Sequence, residues 1–68
     1  MNIGENIKRM REAKNMSQKD LADLVEVGQP MVAQIERGSR IPTMALGASI
    51  AQVFGCSMDE LWGRNESK

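Results

Sequence analysis

Histidine and tyrosine are missing from this chain, and phenylalanine, tryptophan and cysteine occur once each, as Phe54, Trp62 and Cys56. Those gaps exclude much chemistry. Without His the usual general base is gone, and one Cys allows neither a disulfide nor a Cys/His zinc site. No nucleophile–base pair or metal set can be assembled, so the chain is expected not to be an enzyme and to need no cofactor or metal. Cys56, between Gly55 and Ser57, reads as a small core hydrophobe, and its solitary use fits a reducing cytosol. Met31, Met44 and Met58 read as packing rather than ligation. Apolar runs are only a few residues long, too short to cross a membrane. The N-terminus lacks the charged-then-apolar pattern of a secretion signal. A cytoplasmic protein with no evident small-molecule ligand is expected.

Excess charge is absent too. Nine Lys and Arg balance nine Asp and Glu, so the net charge is zero. Residues 1–40 carry seven bases against six acids, and residues 41–68 two against three. Nucleic-acid-binding domains are commonly basic, so attraction to DNA would depend on local placement rather than on a net field. A length of 68 residues allows one domain with a small core.

What is present is helical periodicity. Ile3, Ile7, Met10 and Ala13 recur at steps of four and three, which predicts a first helix with one apolar face. Asn15 suits a left-handed stop. Ser17-Gln18-Lys19-Asp20 has the form of a capping box with Asp in place of the usual Glu. Leu21, Ala22, Leu24 and Val25 give helix two an apolar face. Gly28 and Pro30 suit the start of a third helix, which Gly38 closes. On its wheel Val32, Ile35 and Glu36 share one side, and Pro30, Ala33, Gln34 and Arg37 the other. Thr43 is a cap candidate for helix four, whose apolar face is Leu46, Ile50, Val53 and Phe54. Gly47 inside that helix costs about 1 kcal/mol relative to Ala. Ser57-Met58-Asp59-Glu60 is a full capping box for a short fifth helix. No segment alternates at period two. The expectation is an all-α, compact five-helix bundle over residues 1–63, with a short flexible tail at 64–68.

The stretch Ser17–Gly38 organises the rest: two short helices joined by a tight turn, suited to inserting one helix into a DNA groove. Its residues, with Ile7, Arg11, Pro42, Gly55 and Ser57 to Leu61, resemble the lambda-repressor-like, or Cro/C1-type, helix-turn-helix family. The likeness rests on Ser17-Gln18, Leu21-Ala22, Val27, Gln29 and Ile35-Glu36-Arg37-Gly38, and covers Gly4 to Trp62. It implies a recognition helix three that reads double-stranded DNA, as a homodimer.

Site roles follow from the resemblance and from physical chemistry together. Gln29 and Gln34 match base-contacting positions, and Gln pairs bidentately with adenine N6 and N7. Ala33 lies between them, suited to a thymine methyl. Ser17 and Gln18 match positions that hold a phosphate at a helix start, where free N–H groups gather; Gln18 is also placed to brace Gln29. Arg37, Ser39 and Arg40 are assigned to the DNA backbone, where contacts position without reading sequence. Arg11 and Glu36 are assigned to a structural ion pair, since an unpaired inward carboxylate is costly. Met58, Leu61 and Trp62 form the expected dimer interface, with Trp62 folded onto its own core as the rival. Lys8, Arg9, Lys14 and Lys19 read as solvated.

Three departures from the family pattern bear on affinity more than on fold. Glu26 stands at a left-handed turn position where Gly is usual, Gly28 replaces a hydroxyl cap, and Pro30 removes an outer-face donor. Two functions therefore stand. The first is a sequence-specific DNA-binding transcriptional regulator on a short palindrome. The second is a protein-interaction module, such as an antitoxin-like or adaptor domain, motivated by the neutral charge, Pro30, Ala33 and Trp62.

Overall fold

Asn2 opens the first helix: its Oδ1 accepts the Glu5 N–H at 2.9 Å, and α1 runs from Ile3 to Ala13. The computed structural model describes residues 2–63, where α2 (Gln18–Leu24), α3 (Gln29–Arg37), α4 (Met44–Phe54) and α5 (Met58–Trp62) follow. No strand occurs among the described residues, so the expected all-α five-helix bundle forms. The expected tail at 64–68 lies outside the described residues.

Helix boundaries follow the local chemistry. At Ser17 the box closes in both directions: the Asp20 N–H donates to Ser17 Oγ at 2.9 Å and the Ser17 N–H to Asp20 Oδ2 at 3.0 Å. The Ser17 N–H, and after it the Ser17 hydroxyl, hold the exposed Asp20 carboxyl below its ordinary pKa. Ser57 and Glu60 close the second box, and Thr43 Oγ1 accepts the Leu46 N–H. After α1 the chain turns through Asn15 at φ 58°, and after α2 through Glu26 at φ 62°. Asn accepts the left-handed region readily, whereas Glu26 is strained there, by about 1–2 kcal/mol. Gly38, at φ 89°, ends α3 in a Schellman motif: its N–H donates to Ile35 and that of Ser39 to Gln34.

The core gathers one or two side chains from every helix. Ile7, Leu21, Val32, Ile35, Ile50 and Leu61 are all under 2% exposed. Each such side chain contributes about 1.5–3 kcal/mol relative to an exposed one. Helix α3 packs on α1 and α2, while α5 packs on α1 and α4. Three expectations need correction. Leu24 is 59% exposed, because the buried face of α2 centres on Leu21, Ala22 and Val25 and leaves Leu24 roughly a quarter turn away. Ala13, at the last turn of α1, is exposed for the same reason. Leu61, expected at a dimer interface, is 0% exposed and belongs to the core of its own domain.

Two glycines set helix separations. A Cβ on Gly4 would run into the Ile35 carbonyl oxygen and come within 3.0 Å of that of Glu36, so α1 and α3 cross backbone to backbone there. Gly47 makes room for α5, since its Cβ would lie 3.3 Å from Met58 Cε and 3.8 Å from Trp62 Nε1. That contact offsets the helix-propensity cost of a mid-helix glycine. Gly4→Ala must push α3 away from α1, and is expected to lower stability by about 1–3 kcal/mol in urea unfolding followed by circular dichroism. Unchanged stability would contradict the close crossing.

Candidate nucleic-acid interface

A polar hub sits where α1, α2 and α3 meet. Arg11 Nε donates to Glu36 Oε2 at 2.7 Å and Arg11 Nη2 to Glu36 Oε1 at 3.0 Å, a bidentate pair. Both side chains are shielded, 9% and 4% exposed. Arg11 Nη1 also donates to the Met16 carbonyl oxygen at 2.6 Å, tying the α1–α2 turn to the pair. The hydrogen bond to Glu36 raises the Arg11 pKa against the opposing effect of burial, with the Glu36 and Glu12 charges adding to the rise. The expected ion pair is therefore in place.

Gln18 joins the same hub, its Nε2 donating to Glu36 Oε1 at 3.0 Å. The expected brace to Gln29 is replaced by this bond, because the Glu36 carboxylate is the stronger acceptor. Ser17 is engaged in its capping box, and the ionised Asp20 beside it weakens any hold on a phosphate.

The outer face of α3 is presented as expected, with one added constraint. Gln29 and Pro30 are exposed at its start, Ala33 and Gln34 are half-buried along it, and Arg37 is exposed at its end. Gln34 Oε1 accepts a hydrogen bond from Arg40 Nε at 3.0 Å. Arg40 therefore lies over the end of α3 as a unit with Gln34. Ser39 is exposed, but its N–H is spent on the Gln34 carbonyl, so only its hydroxyl is available.

Trp62 is half-buried and packs against the domain's own core, beside Met58. Its Nε1 is buried and has no partner among the described residues. A cavity of about 300 Å³ separates Trp62 from Ile41, with Ile3, Gly4 and Ile35 in its wall. Ile41 and Met44, at 71% and 70% exposure, are large apolar groups left uncovered.

Asn6 is a buried polar residue with a structural role that the sequence pattern does not reveal. It is 2% exposed, donates through Nδ2 to the Leu61 carbonyl oxygen at 3.0 Å, and accepts from Arg9 Nη2. It thereby fixes the end of α5 to α1. The only signal was a polar residue inside the apolar stripe of Ile3, Ile7 and Met10. Cys56 is half-buried with Sγ 3.9 Å from Met10 Sδ, and burial, with the Glu60 charge, pushes its thiol pKa up, as befits an inert packing residue. No group of three potential metal ligands occurs among the described residues, and no helix there is long and apolar enough to cross a membrane.

A tight turn between α2 and α3, a buried ion pair behind α3 and an uncovered α3 outer face define a helix-turn-helix protein. The chain belongs to the helix-turn-helix family of Cro/C1-type regulators, whose family pattern, described as "Helix-turn-helix", matches residues 7–61. It is 34% identical over 68 residues to the HTH-type transcriptional regulator AnsR of Bacillus subtilis, covering all of this chain and 58% of AnsR. It is 34% identical over 64 residues to the cryptic phage CTXphi transcriptional repressor RstR of Vibrio cholerae, covering 94% of this chain and 57% of RstR. This chain thus spans less than two-thirds of those two relatives. Its fold matches the P22 c2 repressor, solved in complex with a synthetic operator, at a TM-score of 0.89 and 25% identity, over 96% of this chain and 98% of that one. The restriction-modification controller protein C.AhdI of Aeromonas hydrophila matches at 0.83 and 28%, over 88% and 91%.

Removing one member of the hub strands the others. Glu36→Ala leaves Arg11 buried without its partner, an effect of about 3–5 kcal/mol. A domain of this size has roughly 3–10 kcal/mol in total. The variant is therefore expected to lose much of its stability, with a urea midpoint far below that of the wild type by circular dichroism at 25 °C; a midpoint near that of the wild type would show that the pair bears little on the fold.

Proposed function

We propose that this chain is a sequence-specific DNA-binding transcriptional regulator that places α3 in the major groove. The observation that carries the reading is the outer face of α3, where Gln29 is exposed and Ala33 and Gln34 are half-exposed while the helix is locked from behind by Arg11, Glu36 and Gln18. A recognition helix needs both properties: side chains free to meet base edges, and a rigid mount that fixes their register. The solved complex of the P22 c2 repressor with an operator and the regulator and repressor names of the relatives support it.

In this reading Gln29 pairs with an adenine at the entry of α3, and Ala33 meets a thymine methyl. Gln34 reads from a fixed position, with Arg40 held against it. Gln18, Arg37, Arg40 and the hydroxyls of Ser17 and Ser39 serve the phosphates. The protein acts as a dimer on a short palindrome, with half-sites about one helical turn apart. With Leu61 in the core, the apolar surface for pairing is the one shared by Ile41, Met44 and the exposed part of Trp62. The zero net charge makes pairing of two reading heads a requirement, since one head gathers few phosphate contacts. Leu24, exposed on α2, is the feature that favours the rival protein-interaction module.

A titration against random and selected duplexes over several salt concentrations separates the two. DNA binding is expected to weaken linearly on a log–log plot, with a slope set by the phosphate contacts. Absence of binding at low salt and tens of micromolar protein, where nonspecific dissociation constants of roughly 10⁻⁴ to 10⁻⁶ M would register, refutes the regulator. On the selected duplex, Gln29→Ala is expected to cost about 1–3 kcal/mol and to relax selectivity at one base. Equal weakening on every sequence would make Gln29 a phosphate contact instead.

A further inference from the structure

Gln29 and Gln34 carry the same amide on the same helix, yet their surroundings leave them with different hydrogen-bonding capacity. Gln29 is exposed, and its side chain has no hydrogen-bond partner among the described residues. Gln34 is half-buried, and its Oε1 accepts from Arg40 Nε at 3.0 Å. An arginine side chain only donates, so the amide atom that faces it is the oxygen and the NH₂ group is the end left over.

The contact grows out of the backbone. The Schellman motif that closes α3 pairs the Ser39 N–H with the Gln34 carbonyl oxygen at 2.9 Å, with Gly38 making the reversal at φ 89°. The chain leaving α3 is thereby folded back over the last turn, which sets residue 40 beside residue 34. Arg40 has no ion pair among the described residues, so its positive charge stands uncompensated against the amide oxygen. Its Nη groups have no partner there either and remain for a backbone phosphate.

The edges of the bases turn this difference into a preference. Bidentate pairing with adenine needs an amide oxygen to accept from N6 and the amide NH₂ to donate to N7. Gln29, with both ends free, meets that need. At Gln34 one lone pair of Oε1 is left, but an adenine amino group reaching for it would approach the guanidinium, donor against donor. Guanine offers the acceptors O6 and N7 on the same edge and no donor. That pattern matches an NH₂ group with a positive charge beside it.

We propose that Arg40 determines base preference through Gln34: by occupying Oε1 it makes Gln34 select guanine, while the unconstrained Gln29 selects adenine. The proposal rests on the DNA-binding reading, with α3 in the major groove, and adds to it the base read at a second position of each half-site. Arg40 is a positioning residue here, so its removal changes which base is chosen and not only how tightly the duplex is held.

The test is selection of bound duplexes from a random pool at low salt, for the wild type and for Gln34→Ala and Arg40→Met. Competition between the selected duplex and its single-base variants then gives the preference at each position. The position that loses selectivity in Gln34→Ala is the one Gln34 reads. There the wild type is expected to prefer guanine to adenine by roughly 5- to 150-fold. Arg40→Met, at an exposed site outside the core, is expected to take adenine first at that position and to leave the position read by Gln29 unchanged. Guanine still preferred in Arg40→Met, with equal weakening on every sequence, would make Arg40 a phosphate contact alone. That result, adenine already first in the wild type, or no position marked by Gln34→Ala overturns the proposal while leaving DNA binding intact. A wild type that binds no duplex overturns both.

Discussion

The contact on which the rest depends is the bidentate pair between Arg11 and Glu36. It joins the first helix to the third through two shielded side chains, and one guanidinium nitrogen left over reaches the Met16 carbonyl that enters the second. Burying two charges costs several kcal/mol each in desolvation, and their attraction offsets that only when geometry and hydrogen bonding are good. Here they are good: the guanidinium makes three bonds and the carboxylate accepts three. Such a pair adds little net stability compared with a well-packed apolar replacement. What it adds is direction, because the planar fork accepts only a narrow range of approach.

The mount acts together with steric constraints. Gly4 lets α1 come against the backbone of α3, so the two helices are fixed by a close crossing at one point and by the ion pair at another. Val32 and Ile35 fill the space between. A helix held at those places cannot roll, and its outer residues keep their register. That rigidity suits a surface with few charges. With no net field to gather DNA, the proposed DNA binding rests on a few contacts made in the right place, doubled in the proposed dimer. Ser17 and Glu26 show the opposite tendency, one engaged in its own cap and the other strained in the turn. Both reflect fold requirements in a segment that also carries the proposed phosphate contacts.

Most of the fold was legible in the sequence because its signals are local. Caps at Ser17, Thr43 and Ser57 and the left-handed stops at Asn15 and Gly38 depend on neighbours a few residues away, and each formed as its chemistry implied. The Arg11–Glu36 pair was legible only with the family likeness, since no local rule links residues so far apart. What escaped was whatever depends on how helices meet. Leu24 and Ala13 fell outside the core because a wheel does not reveal where the face is centred. Leu61 reads as surface from a helix of five residues alone, and only its packing on α1 and α4 puts it in the core. Asn6 and the partner of the Gln18 amide were invisible for the same reason: both are settled by a residue on another helix.

Arg11 and Glu36 act as one unit that fixes α3. A double-mutant cycle with Arg11→Met, Glu36→Met and the double variant, read by urea unfolding, tests it most directly. The pair is expected to show a coupling of about 0.5–3 kcal/mol, with the double variant more stable than the sum of the single losses allows. Single losses that add to within about 0.3–0.5 kcal/mol would contradict it.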